Sequence, residues 1–130
     1  MRIAQKTTKG IKVSVETVFE GTLYKSYKIQ YAFGYLVTIE NKSKDSVQLQ
    51  SRHWTILDAL NNTETVFGEG VIGKKPILKP GESHTYTSGC LLTSPFGAMG
   101  GYYSMINLST LSIFKVQIPT FKLNAPFALN

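Results

Sequence analysis

The sequence predicts an all-β domain, an immunoglobulin or fibronectin type III-like β-sandwich of roughly seven to nine strands. Three observations lead there. Apolar residues recur with period two almost throughout, and glycines and prolines fall mainly between the alternating runs. No segment shows the i, i+3, i+4 spacing of an amphipathic helix. A small barrel is the main competing arrangement. The 130 residues are enough for one domain with one core, and no repeat, linker or low-complexity tract divides them.

Ile11, Val13 and Val15 place apolar side chains on one face of a first strand, and Phe19 joins them after a gap. The clearest signal follows. Tyr27, Ile29, Tyr31, Phe33, Tyr35, Val37 and Ile39 alternate without a break, the mark of a long strand with one face on the core. Asn41 to Ser46 then supply a polar turn. Val47 and Leu49 resume the alternation, but Trp54 and Ile56 continue it in the opposite phase. One extra residue in a strand, a β-bulge, re-aims everything after it, and the switch falls across Ser51-Arg52-His53. Asn61-Asn62 reads as the next turn. Shorter strands are expected around Glu64–Phe67, Ser83–Ser88 and Tyr102–Asn107. The last run sets Phe114, Val116 and Ile118 on one face, then changes phase at Pro119 to Phe121 and Leu123, which points to an edge strand or a bulge.

Composition narrows the function. The net charge of +6 comes from twelve lysines and two arginines against eight acids. The lysines are spread along the chain, as on a solvated surface, and Tyr102-Tyr103 has no adjacent basic residue, so nucleic acid is not an expected partner. The first ten residues contain no apolar run of the secretory kind, and no stretch is long and apolar enough to span a bilayer. A cytoplasmic protein without a membrane partner is expected. The single Cys90 fits a reducing compartment, and its neighbours Leu91 and Leu92 suit a buried thiol. His53, His84 and Cys90 lack the short paired spacings of a zinc site. Ser94-Pro95-Phe96-Gly97 lacks a nucleophile elbow, and no acid follows Glu82. No catalytic residue, metal or cofactor is assigned, and the chain reads as a non-enzyme.

Two clusters stand out. Gly68-Glu69-Gly70-Val71-Ile72-Gly73 has the G-x-G-x-x-G spacing of dinucleotide loops. That chemistry needs a helix whose free N–H groups meet the pyrophosphate, and Pro76 and Pro80 stand where the helix would run. Glycines serving positive-φ turns are the simpler reading. Ser51-Arg52-His53 forms the second cluster, at the phase switch, where polar side chains can turn outward. Together Ser51, Arg52, His53, Gly68, Glu69, Gly70 and Gly73, with Ser88-Gly89 beside them, make one candidate binding surface. Glu69 can pair with Arg52 if the two segments meet. The expected partner is a protein or peptide, and exposed sheet edges leave room for a homo-oligomer. The alternative is a small-anion or phosphate sensor built on Gly68–Gly73 with Lys74 and Lys75 behind it.

Several stretches also occur together in a family-specific order. They are Ser51-Arg52-His53-Trp54, the glycine run, Pro80-Gly81-Glu82, Tyr86-Thr87-Ser88-Gly89, Pro95 to Tyr102, and Ile118-Pro119-Thr120-Phe121. In this set the sequence resembles the ApaG family from about Lys12 to Leu129. The resemblance implies a fibronectin type III-like domain over 12–129, with residues 1–11 as an N-terminal extension and start of the first strand. It also implies a protein-interaction role associated with cobalt tolerance and magnesium efflux. Phe67, Lys74-Lys75 and His84 depart from the residues common in that family.

Overall fold

The structure is a computed structural model that describes residues 2–59 and 63–126. Nine strands run through them: β1 (Arg2–Thr8), β2 (Ile11–Lys25), β3 (Lys28–Asn41), β4 (Val47–Asp58), β5 (Thr63–Glu69), β6 (Ile77–Leu78), β7 (Ser83–Leu92), β8 (Phe96–Asn107) and β9 (Ile113–Asn124). They form two antiparallel sheets, one ordered β1-β2-β3-β7 and the other β5-β4-β8-β9, with β6 also paired to β4. The expected sandwich is the fold. The described residues contain no α-helix.

The period-two runs put most of their apolar halves between the sheets, although Tyr27 falls in the turn before β3 and is 91% exposed, and Ile29 is 55% exposed. Val13 and Val15 of β2 and Val37 and Ile39 of β3 are fully buried, opposite Met105 of β8 and Val116 and Leu123 of β9. Each such side chain stabilises the fold by roughly 1.5–3 kcal/mol. Trp54 crosses the middle of the core, tilted against Tyr35 and edge-on to Tyr103 and Phe121.

Several elements depart from their expected limits. Residues 2–8, part of the expected extension, form the edge strand β1 and pair with β2 along their whole length. The strands expected around 64–67, 83–88 and 102–107 each run further. The β4 bulge sits at Gln50, just before the expected place, because Leu49 pairs with Met105 and Ser51 already pairs with Ser104. Pro119 lies both on an edge strand and at a register shift between β8 and β9. The turn read at Asn61-Asn62 lies outside the described residues.

The polar turn after β3 is tied down by Asn41, which is fully buried. Its Nδ2 donates to the carbonyls of Asp45 and Leu78, and its Oδ1 accepts from the N–H and hydroxyl of Ser43. An amide buried with both ends satisfied fixes the loop to the neighbouring β6.

The two flanks of the sandwich differ. On one, β9 packs across β1 and β2, and the Gln117 N–H donates to Thr8 Oγ1 at 3.2 Å. On the other, the edge strands β5 and β7 do not pack together in this way. That flank stays open.

Candidate functional site

The bulge at Gln50 determines what β4 offers to each side. Cross-strand partners share a face. Arg52 pairs with the fully buried Tyr103 on β8 and with Gly68 on β5, so it belongs to the inner face, two residues before Trp54. His53 pairs with Tyr102 and Phe67 and faces outward. The two residues read from the sequence as turning outward together thus point to opposite sides of the sheet.

Arg52 is half-buried at the open flank. Its Nη1 donates to the carbonyls of Gly70 at 2.8 Å and Glu69 at 3.2 Å. Gly68 makes this possible. The guanidinium lies against its Cα, where a Cβ would come within 2.4 Å of Arg52 Cζ.

The glycine run is an excursion from an edge strand. β5 ends at Glu69 and β6 resumes pairing with β4 at Ile77. Between them the Gly70 N–H donates to Gln50 O, and the Leu49 N–H donates to Pro76 O. The excursion is a tight hairpin in which Val71 and Lys74 exchange backbone hydrogen bonds of 2.7 and 3.0 Å. Ile72 and Gly73 form its tip with φ of 49° and 71°, the signs of a type I′ turn. Gly70 also has positive φ, 60°. The amides of Gly70 and Val71 are therefore committed to backbone partners and do not converge as an anion nest requires. The Glu69 carboxylate pairs with Lys75 Nζ at 2.9 Å, and only its backbone carbonyl reaches Arg52.

Arg52 and this hairpin form one wall of a cleft of about 180 Å³ between the sheets. Tyr35, Trp54, Tyr86 and Met99 lie deeper, Ile72 stands at the mouth, and Ser88 and Gly89 close the β7 side. The Tyr86 and Tyr103 hydroxyls bond to each other below it. Burial pushes the Tyr35, Tyr86 and Tyr103 phenols up, and the Arg52 charge acts against that rise in all three. Burial also pushes the Cys90 thiol up to about 11, and its Sγ donates to Met99 Sδ at 3.6 Å. The sequence reading gathers Arg52, the glycine run and Ser88-Gly89. The tyrosines escape it, because Tyr35 and Tyr103 share a phase with apolar residues as plain core would, and Tyr86 stands in a polar strand. Their shared inward phase with Arg52 is the signal that could have found them.

Ser51 and His53 lie on the outer face of the sheet, where Ser51 is buried and His53 half-buried. His53 stacks on Tyr102, with ring centroids 4.3 Å apart and 12° between planes, and Phe67 tilts against it at 4.7 Å. Ser51 Oγ lies 3.1 Å from His53 Nε2. Among the described residues no carboxylate bonds to this histidine, so the pair lacks the orienting third member of a nucleophilic triad. Nor do the described residues include a His, Cys, Asp and Glu group placed to hold a metal ion.

Residues 22–107 match the ApaG domain family. The chain belongs to the ApaG family. Protein ApaG of Methylorubrum extorquens (strain PA1) is 45% identical over 119 residues, covering 92% of this chain and 91% of that protein. ApaG of Brucella anthropi is 44% identical over the same shares of both. Among solved structures, a Bordetella pertussis protein described as ApaA superposes with a TM-score of 0.81 at 38% identity, over 89% of this chain and 94% of its own. A structural-genomics target superposes with a TM-score of 0.84 at 36% identity, over 90% and 88%. The ApaG fold is thus the one that the strand pattern predicted, and it brings the glycine run and Arg52 together at the open flank.

Proposed function

We propose that this ApaG domain is a non-enzymatic binding module that holds a protein or peptide segment at the open flank of its sandwich. One observation carries the reading: β5 and β7 are both edge strands, and the cleft that contains Arg52 opens between them. An edge strand offers unpaired backbone groups to an incoming segment, and a cleft beside it can accept one of that segment's side chains. The cobalt tolerance and magnesium efflux that the family resemblance implies would then run through the bound partner.

A photo-crosslinking residue at Thr87, exposed on β7, and another at Gln5, exposed on β1, test this in living cells. The same protein should be captured from Thr87 and not from Gln5. Capture from Gln5 alone would place recognition on the closed flank and end the proposal.

A further inference from the structure

We propose that the cleft receives the terminal carboxylate of a chain ending in an apolar residue, with Arg52 as the group that reads the charge. This rests on the open flank being the docking site. Arg52 is only partly satisfied by the protein. One of its nitrogens is fixed by the two backbone carbonyls, which leaves about three of the five N–H groups of the guanidinium. Among the described residues no buried side-chain nitrogen lacks a partner, so the remaining donors of this half-buried residue are reached from outside. No carboxylate pairs with it among the described residues, since Glu69 is turned to Lys75. A half-buried cation without a counter-ion favours an anionic ligand that supplies one, and a guanidinium suits the two oxygens of a carboxylate.

The walls choose among carboxylates. Trp54, Ile56, Val66, Ile72 and Met99 present apolar surface to the same cleft. Its volume of about 180 Å³ suits one side chain and falls below the roughly 300–1,000 Å³ of pockets for drug-sized ligands. A chain-terminal leucine or similar residue carries a carboxylate and an apolar body together. An internal Asp or Glu brings the charge without that body.

The probes are N-acetyl-leucine, N-acetyl-leucinamide and the α-amide of N-acetyl-glutamate, each titrated into the ¹⁵N-labelled domain. N-acetyl-leucine should shift Ile72, Ser88, Gly89 and the Arg52 Nε–H saturably, and both amides should bind at least tenfold more weakly. Arg52→Gln should abolish the response. Because Arg52 also braces the hairpin, Ile72→Asp gives a second test. It places a negative charge at the mouth, at a turn position whose positive φ Asp tolerates, and should weaken N-acetyl-leucine tenfold. Equal binding of acid and leucinamide would overturn the carboxylate reading while keeping the flank as a docking site. Equal binding of the glutamate amide would overturn the chain terminus, and an unchanged response in folded Ile72→Asp would move the site elsewhere. Silence from all three probes also overturns this inference, while crosslinking at Thr87 separately decides the docking flank.

Discussion

The guanidinium of Arg52 lies flat on Gly68, and a Cβ there would stand within 2.4 Å of Cζ and 2.5 Å of Nη2. Gly68→Ala should therefore push the guanidinium away from the Glu69 and Gly70 carbonyls. Losing those charge-assisted hydrogen bonds should cost about 1–3 kcal/mol, measurable as a lower urea midpoint with an unchanged m-value. A wild-type midpoint would mean that Arg52 does not brace the hairpin.

Gly70 and Gly73 both have positive φ, but their surroundings differ. A Cβ at Gly70 would meet the Lys74 carbonyl oxygen at 2.1 Å, whereas Gly73 has nothing within 4 Å. Gly73→Ala should cost only its backbone strain, on the order of 1 kcal/mol. Gly70→Ala adds a clash with backbone that cannot swing aside, for a total of about 2–4 kcal/mol. Thermal unfolding of the two variants should rank them in that order, and the reverse ranking would contradict the described hairpin.

Cys90 should be a sluggish thiol. With its pKa raised to about 11, it holds very little thiolate at pH 8. Alkylation by iodoacetamide should run on the order of a hundredfold slower in the folded domain than in urea, where the thiol returns to its ordinary range. Comparable rates in both states would show a thiol outside the cleft wall.

His84 gives the domain a predictable acid response. Burial first, and then the Lys74 charge, hold its imidazole below the ordinary range. The unfolded chain therefore takes up this proton more readily than the folded one. The contribution of His84 is complete above the unfolded value, near 6.5, and falls as the pH drops from there through the lower folded value. His84→Gln should flatten that part of the stability curve, from about pH 7 downwards, as followed by urea midpoints. An identical slope in the variant would assign the response to other groups.

How legible each element was follows from what its faces touch. β3 was plain because Phe33, Tyr35, Val37 and Ile39 are all buried while Leu36, Thr38 and Glu40 are only half-buried. β1 was hidden because it is a sheet edge where Ala4 is the apolar side chain packed on the core. The first half of β8 reads as a loop because it contains Gly97, Gly100 and Gly101. Those glycines are there for close approach. A Cβ at Gly97 would strike the Leu57 carbonyl oxygen at 2.3 Å, and one at Gly101 the His53 carbonyl oxygen at 1.9 Å. At the site, moving the bulge from Ser51–His53 to Gln50 is what sends Arg52 inward and leaves Ser51 and His53 outside. Sequence alternation shows that the phase changes between Leu49 and Trp54, but it does not show which residue is the extra one.

The contact between β9 and the first two strands sets a condition on how the chain is made. Thr8 and Gln117 are 109 residues apart, so the flank they close is completed only once the strands between them have been synthesised. The β1-β2-β3 meander is complete at Asn41, whereas β9 ends at Asn124, 83 residues later. At about 5–20 residues per second, that is an interval of roughly 4–17 s. Throughout it, the flank of β1 and β2 lacks the strand that will close it. A nascent chain of this domain should therefore be a chaperone client for seconds on each ribosome, and a translation stall before β9 should send it towards aggregation.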